Sequence, residues 1–367
     1  MKILFIGTRG IPANYSGFET CVQEVTKRLE NKHELIVYAR KGHYDSHPEK
    51  IGNIRMVYLP AFNSKSFETL SHTFLSVFHA LIFHWSAVYM VFNAANSFAL
   101  ILPWLFRRKI AINTDGLEWE RDKWNQIGKW YFQAAAWFST KIGNVIVADG
   151  KEMSKYYLER WTCPSSIIEY GAYVCDSNNS SVLNQYNVEP GKFILQITRF
   201  EPENNPLLTM RSFKQFKKEN PESATKLVLV GGVPYESDYS RMIQEEVTEH
   251  IIIPGYIFDK NILAELRNHS LAYIHGNQVG GTNPALLEAM GSNCLVIARD
   301  VRFNREVLEN GGLYYRRNET NLAEQMTKVY KNEIDRNAMI SFCIQKIKTY
   351  YNWDRIATEY EKMIVSL

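Results

Sequence analysis

Strand-length apolar runs alternate with helix-length segments along this chain, and the series occurs twice. In the first half the runs are Lys2 to Ile6, Glu34 to Tyr38, Ile54 to Leu59, Val88 to Phe92, Ile110 to Asn113, Val145 to Ala148 and Ser166 to Ile168, with a helix expected from Glu19 to Leu29. Continuous Val, Ile and Leu in a strand means burial on both faces, so the pattern predicts a parallel sheet with helices on either side. A polar run, Asp176 to Ser181, interrupts it. The second series has strands at Phe193 to Ile197, Leu227 to Val230, Ile251 to Ile253, Leu271 to Ile274 and Leu295 to Ala298, and a helix at Pro206 to Asn220. With 367 residues the chain exceeds what one core usually organises, and two α/β domains are expected, over residues 1–178 and 179–350. Residues 351–367 hold an amphipathic helix, Trp353 to Val365, expected to pack back on the first domain.

A formal charge of +3 is too weak to argue for nucleic acid, although it suits anionic substrates or an anionic membrane face. Five widely spaced cysteines fit a reduced, cytoplasmic setting and hold no zinc-type pair. No metal cluster is expected, since the histidines are scattered. From Thr69 to Phe106 there is no Asp, Glu, Lys or Arg, a length that would cross a bilayer. His72, His79, His84, Asn93, Asn96 and Pro103 interrupt it, so a buried helix from Leu70 to Trp85 followed by a strand from Ala87 to Phe92 is the preferred reading. Arg107, Arg108 and Lys109 then either cap a core element or touch lipid headgroups.

The densest local signal is the run Gly280-Gly281-Thr282-Asn283-Pro284-Ala285-Leu286-Leu287-Glu288-Ala289-Met290-Gly291. Paired glycines let backbone approach a ligand, Asn283 is a good N-cap, and Pro284 fits the first helical position. Free amides from Thr282 to Ala285 and the helix dipole would attract phosphate oxygens, and Glu288, a turn later, would accept from ribose hydroxyls. Earlier in the chain, Thr114 to Trp124 crowds charge and indole just after a strand. Either Asp115 caps a helix there, with Glu118 to Lys123 as a solvated face, or Asp115, Glu118, Trp119 and Arg121 turn toward a ligand. Trp130, Ala134 and Trp137, at helical spacing, are read as core.

Taken together, Ile6 to Pro12, Tyr15 to Thr20, Thr114 to Trp119, Arg199 to Asn205 and Gly280 to Gly291 resemble glycosyltransferase family 4, retaining enzymes of the GT-B fold with two Rossmann-like domains facing each other across a cleft. The resemblance is closest to a bacterial branch that contains capsule and cell-wall rhamnosyltransferases. It implies that Gly17 meets the donor phosphates without a side chain in the way, that Arg199 pairs with the diphosphate, and that Tyr256 borders the base. A guanidinium suits that task because its fork grips two oxygens and keeps its charge. Gly281, Thr282, Asn283, Pro284, Ala285 and Glu288 complete the implied donor site. Asp115, Arg199 and Glu288 would carry the chemistry; Asp115, Glu118, Trp119 and Arg121 would meet the acceptor. Two positions depart from the family pattern. Asn204 stands where many relatives have lysine, and Gly280 stands where the first of two glutamates is usual.

The implied reaction is metal-independent transfer of a sugar, L-rhamnose from dTDP-rhamnose, to a hydroxyl of a lipid-linked glycan in bacterial surface polysaccharide synthesis. No resident cofactor is expected, since the nucleoside-diphosphate sugar is a substrate. The expected place is the cytoplasm, at the inner face of the cell membrane, with peripheral contact and no nucleic-acid partner. A nucleotide-sugar epimerase or hydrolase-type enzyme and a non-catalytic nucleotide-sugar-binding partner stay open as alternatives. An oxidoreductase fits less well, because Gly7-Thr8-Arg9-Gly10 lacks the dinucleotide glycine spacing.

Overall fold

The computed structural model describes residues 1–13, 17–62, 68–114, 116–121, 124–175, 179–233, 235 and 237–367. The chain forms two compact units. The first takes Met1–Glu120, Trp124–Gly171 and Trp353–Leu367, and the second takes Arg121 and Ala172–Asn352. The passage at Gly171 falls just ahead of the polar run.

In the first unit the described residues form β1 (Lys2–Ile6), β2 (Glu34–Arg40), β3 (Lys50–Ile51), β4 (Ile54–Leu59), β5 (Val88–Phe92), β6 (Ile110–Asn113), β7 (Val145–Ala148) and β8 (Ser166–Ile167). The sheet order is β3-β4-β2-β1-β5-β6-β7-β8, parallel throughout except for the β3–β4 edge. Its central strands, β1 and β5, are buried on both faces, as their unbroken apolar composition requires. The helices are α1 (Gly17–Leu29), α2 (Glu68–Phe83), α3 (Ile101–Leu105), α4 (Gln126–Ile142) and α5 (Lys151–Trp161). The C-terminal helix, Trp353–Val365, belongs to this unit and is pinned by polar contacts. Asn113 Nδ2 donates to the Tyr360 hydroxyl at 2.8 Å, Arg355 reaches Glu169 at 2.7 Å and Arg28 reaches Asp354 at 2.6 Å. Gly171 lies flat against the Trp353 ring, where a Cβ would come within 2.6 Å.

The second unit holds β9 (Phe193–Arg199), β10 (Lys226–Gly232), β11 (Ile251–Gly255), β12 (Ala272–His275), β13 (Val296–Arg299) and β14 (Gly312–Tyr315). They form a parallel sheet in the order β11-β10-β9-β12-β13-β14. Its helices include α6 (Pro206–Glu219), α7 (Asp238–Glu245), α8 (Lys260–His269), α9 (Pro284–Met290) and α10 (Arg302–Leu308). Winding reverses between β1 and β5 in one sheet and between β9 and β12 in the other. At such a switch point the loops leaving the carboxyl ends of the two strands diverge, and ligands of open α/β sheets bind there.

Most expected strands stand within two residues of their predicted ends; β3 and β14 went unpredicted because each is short and lies at a sheet edge. Two readings are corrected. The segment after Thr69 supplies the interior strand β5, but α2 is no interior helix: its inward stripe is His72, Thr73, Ser76, Val77 and Ala80, while Phe74, Phe78 and Ile82 face outward. Trp130 and Trp137 are not core, being 70% and 48% exposed on α4, because the side of α4 that packs inward carries Ala135, Ala136, Ser139 and Ile142.

Candidate functional site

Arg199 ends β9, at the switch point of the second sheet, and its guanidinium is exposed. Among the described residues it pairs with no carboxylate, which leaves a full charge available at this edge. The segment behind it is fixed by backbone contacts. Asn204 is buried; its Nδ2 donates to the Arg199 carbonyl at 3.0 Å and its own carbonyl accepts from Gln196 Nε2 at 3.0 Å. Asn205 Nδ2 donates to the Gly276 carbonyl at 2.8 Å, and the Gln278 amide donates to the Glu203 carbonyl at 3.1 Å. The loop after β9 and the loop after β12 are thereby joined. Gly276 permits this, since a Cβ there would lie 2.1 Å from the Asn204 carbonyl. The Asn204 side chain therefore positions Arg199, an arrangement that the lysine common in relatives would replace with a charge.

Beside this edge lies a cavity of about 880 Å³, whose wall combines backbone from the ends of β10 and β11 with Phe200, Tyr235 and α7. Gly231 has φ +132° and faces Thr198, whose carbonyl would sit 1.8 Å from an added Cβ, so only glycine fits. Gly232 lies against the Tyr256 ring, which stacks on Phe258 with centroids 5.9 Å apart. Tyr235 donates to the Glu201 carboxylate; burial and then that carboxylate raise the pKa of its hydroxyl. Arg241, Gln244 and Glu245 supply the polar wall from α7. The sequence reading missed these three, although Gly231-Gly232 and Pro254-Gly255 signalled the loops around them. At the end of β12, burial lowers the pKa of the His275 imidazole to about 3 and so keeps it neutral.

The glycine-rich turn follows β12. Gly280 has φ +145° with open space around it, so glycine is required by conformation and not by a close neighbour. A glutamate at this position would be strained, which gives the departure at Gly280 a backbone cause. Asn283 caps α9 as expected: its Oδ1 accepts from the Ala285 amide at 3.0 Å. This corrects the expectation of free amides as far as Ala285. The Leu286 amide is also used, by the Asn283 carbonyl at 3.0 Å, and Pro284 has none. What remains for a ligand is the backbone ahead of the cap, around Gly281; Thr282 beside it is buried. Glu288 is half-exposed and forms an ion pair with the buried guanidinium of Arg267 on α8. Arg267 fixes the carboxylate in one direction.

In the first unit Gly17 opens α1, and Asp115 lies outside the described residues. Glu118 is buried and accepts from the Trp124 indole at 3.2 Å. Trp119 is buried too, against Tyr156 and Trp161 with centroids 5.8 and 6.1 Å away. Arg121 groups with the second unit. The structure thus joins Arg199, Asn204 and the loop after β12, but it does not gather Glu118, Trp119 and Arg121 into one exposed set.

Two parallel α/β units, the second with its polar loops and cavity at the carboxyl edge, are the architecture of GT-B glycosyltransferases. Residues 183–345, all within the second unit, match the family model described as glycosyl transferases group 1. Residues 87–174, from β5 to a few residues beyond β8, match a domain of unknown function, DUF1972. No curated protein is matched by sequence. Among solved structures, HepE of Anabaena in complex with UDP is similar over 100% of both chains, with 15% identity and a TM-score of 0.76. Sucrose-phosphate synthase of Thermosynechococcus elongatus is similar over 100% of this chain and 98% of its own, with 15% identity and a TM-score of 0.79. The trehalose 6-phosphate synthase of Burkholderia multivorans follows at 10% identity, 100% and 99% coverage and a TM-score of 0.74. At these identities the likeness is one of fold.

Proposed function

We propose that the protein transfers L-rhamnose from dTDP-rhamnose to a hydroxyl of a lipid-linked saccharide in bacterial surface polysaccharide synthesis, with retention at the anomeric carbon. The observation that carries the reading is the joining of the loop that follows Arg199 to the segment leading into the glycine-rich turn, at one switch point and within the segment that matches the glycosyltransferase model. Arg199 grips the donor diphosphate, and the cavity beside Tyr256 takes the nucleoside. Glu288, directed by Arg267, accepts from a ribose hydroxyl. As the bond from C1 to the diphosphate oxygen breaks, the acceptor oxygen bonds to C1 on the same face and its proton passes to the departing diphosphate. Asp115 orients the sugar or acceptor in this scheme. Negative charge grows on the leaving group, so a fixed guanidinium contributes most in the transition state. A sugar lacking one hydroxyl requires fewer polar partners, which agrees with glycine at position 280. The enzyme works at the cytoplasmic face of the membrane, where a lipid-linked acceptor is presented.

A donor screen tests this. dTDP-rhamnose should raise the melting temperature more than UDP-glucose, and turnover on short lipid-linked saccharides should follow the same order. A larger shift with UDP-glucose would overturn the choice of donor, with the UDP complex of HepE as the precedent for a uridine donor. Donor binding with no turnover on any acceptor would favour the non-catalytic reading.

A further inference from the structure

Helix α2 is built inside out. Its buried stripe is polar and small, and two of its inward hydroxyls are hydrogen-bonded: Thr73 Oγ1 donates to Asn96 Oδ1 at 3.0 Å and Ser76 Oγ to the His72 carbonyl at 2.7 Å. Its outward stripe holds Phe74, Phe78 and Ile82, one turn apart, with Phe83 beside them; Phe78 is 53% and Ile82 58% exposed. Such a helix would lose free energy in water, since large apolar groups belong on the stripe that avoids solvent.

The surface continues past the helix end. Trp85 packs on Phe106 with centroids 5.1 Å apart, and Arg108 lies 4.6 Å over the Trp85 ring while donating to the Phe106 and Trp85 carbonyls. Between them α3 exposes Trp104 and Leu105, and Arg107 and Lys109 are exposed next to it. No carboxylate occurs from Thr69 to Thr114, so after Glu68 at the start of α2 the charges that this segment carries, at Arg107, Arg108 and Lys109, are all positive.

We infer that the outward face of α2, together with α3 and the Trp85–Arg108 pair, lies in the surface of an anionic lipid bilayer. Tryptophan beside a guanidinium is suited to the headgroup level, and Arg107, Arg108 and Lys109 meet lipid phosphates while the phenyl and branched side chains enter the acyl boundary. No helix among the described residues is long and apolar enough to cross a membrane, so α2 rests in the plane. The inference deepens the membrane-facing reading above by naming the surface and the lipid charge. It does not depend on which sugar is transferred.

The full chain is tested by flotation with vesicles of phosphatidylcholine alone and of phosphatidylcholine with phosphatidylglycerol. Wild type should float with the mixed vesicles and lose that binding in high salt. Phe78→Ser with Ile82→Ser should lower partitioning about tenfold or more, since each side chain withdraws a substantial apolar area from the lipid. Arg107→Gln with Arg108→Gln should cost about fivefold per charge, and only on the anionic vesicles. Phe78→Ser with Ile82→Ser should melt with wild type, because both side chains are already exposed. The arginine pair also loses the Arg108 contacts to Phe106 and Trp85, so its flotation is compared between neutral and anionic vesicles at one temperature below its own melting point. Wild type that floats with neither vesicle overturns a bilayer partner, and double variants that float like wild type overturn this face while leaving membrane association intact. A dimer split by Phe78→Ser with Ile82→Ser, with no vesicle binding, would assign the face to a second copy of the chain. Donor turnover is read separately, so loss of the glycosyltransferase reading would leave the flotation result standing.

Discussion

Helices α2 and α6 each cover the sheet of their own unit, and they face opposite ways chemically. Helix α6 buries Leu207, Met210, Phe213 and Phe216 and turns Arg211 and Lys214 outward, where both reach Glu246 at 2.8 and 2.6 Å. Helix α2 buries His72, Thr73 and Ser76 and turns phenylalanines outward. One strand grammar thus carries two kinds of surface. In the second unit the polar groups gather where strands end, at an edge held by backbone contacts; in the first, the unusual surface is the outer side of a helix.

The largest effect is expected at the polar edge. Arg199→Ala should lower turnover by about 10² to 10³, the range for removing one donor that stabilises a developing charge. Melting should stay at the wild-type temperature, because the guanidinium has no described partner to lose. A matched fall in stability would mean that Arg199 serves the fold instead. Next, Gly231→Ala should destabilise by roughly 3 kcal/mol in chemical denaturation, from left-handed backbone and the collision with Thr198. A change of a few tenths would show that the end of β10 moves freely.

Acid separates the two units by a third route. Burial, aided by Arg40, lowers the pKa of His72 from 6.5 to about 4, and burial lowers that of His275 to about 3. In both cases the unfolded chain binds the proton first as pH drops. Stability from these groups is therefore complete above 6.5 and falls as pH drops through the window down to 4 for His72 and to 3 for His275. The slope is about 1.4 kcal/mol per pH unit for each imidazole. Denaturation curves of His72→Gln and His275→Gln across that window should each lose one share of the slope. The smallest effect belongs to the outward face of α2: Ile82→Ser should shift stability by no more than about 0.5 kcal/mol, where a buried isoleucine would cost several. A large loss would mean that α2 packs against protein after all.

Much of the fold was legible in order along the chain. β4, β5, β6 and β7 and the C-terminal helix stand where apolar periodicity put them, since a strand buried on both faces has little choice of residues. Asn283 and Pro284 likewise announced the start of α9. The site was less legible. That Ala285's amide is already taken by Asn283, that Asn204 serves the Arg199 carbonyl, and that α7 walls the cavity depend on partners far away in the sequence or on local geometry that spacing does not encode.

Local order of apolar and polar residues determined by itself that this chain makes two parallel α/β layers with a glycine-rich turn after a strand in the second. Only tertiary packing decided which side of each helix meets the sheet. Periodicity supplies a stripe without a direction: Phe78 and His72 share one helix, and it is the sheet, with Asn96 waiting for Thr73, that draws the polar side inward. The same holds for Trp130 and Trp137, whose spacing suits a core but whose alanine neighbours, being smaller, fit closer to the layer beneath.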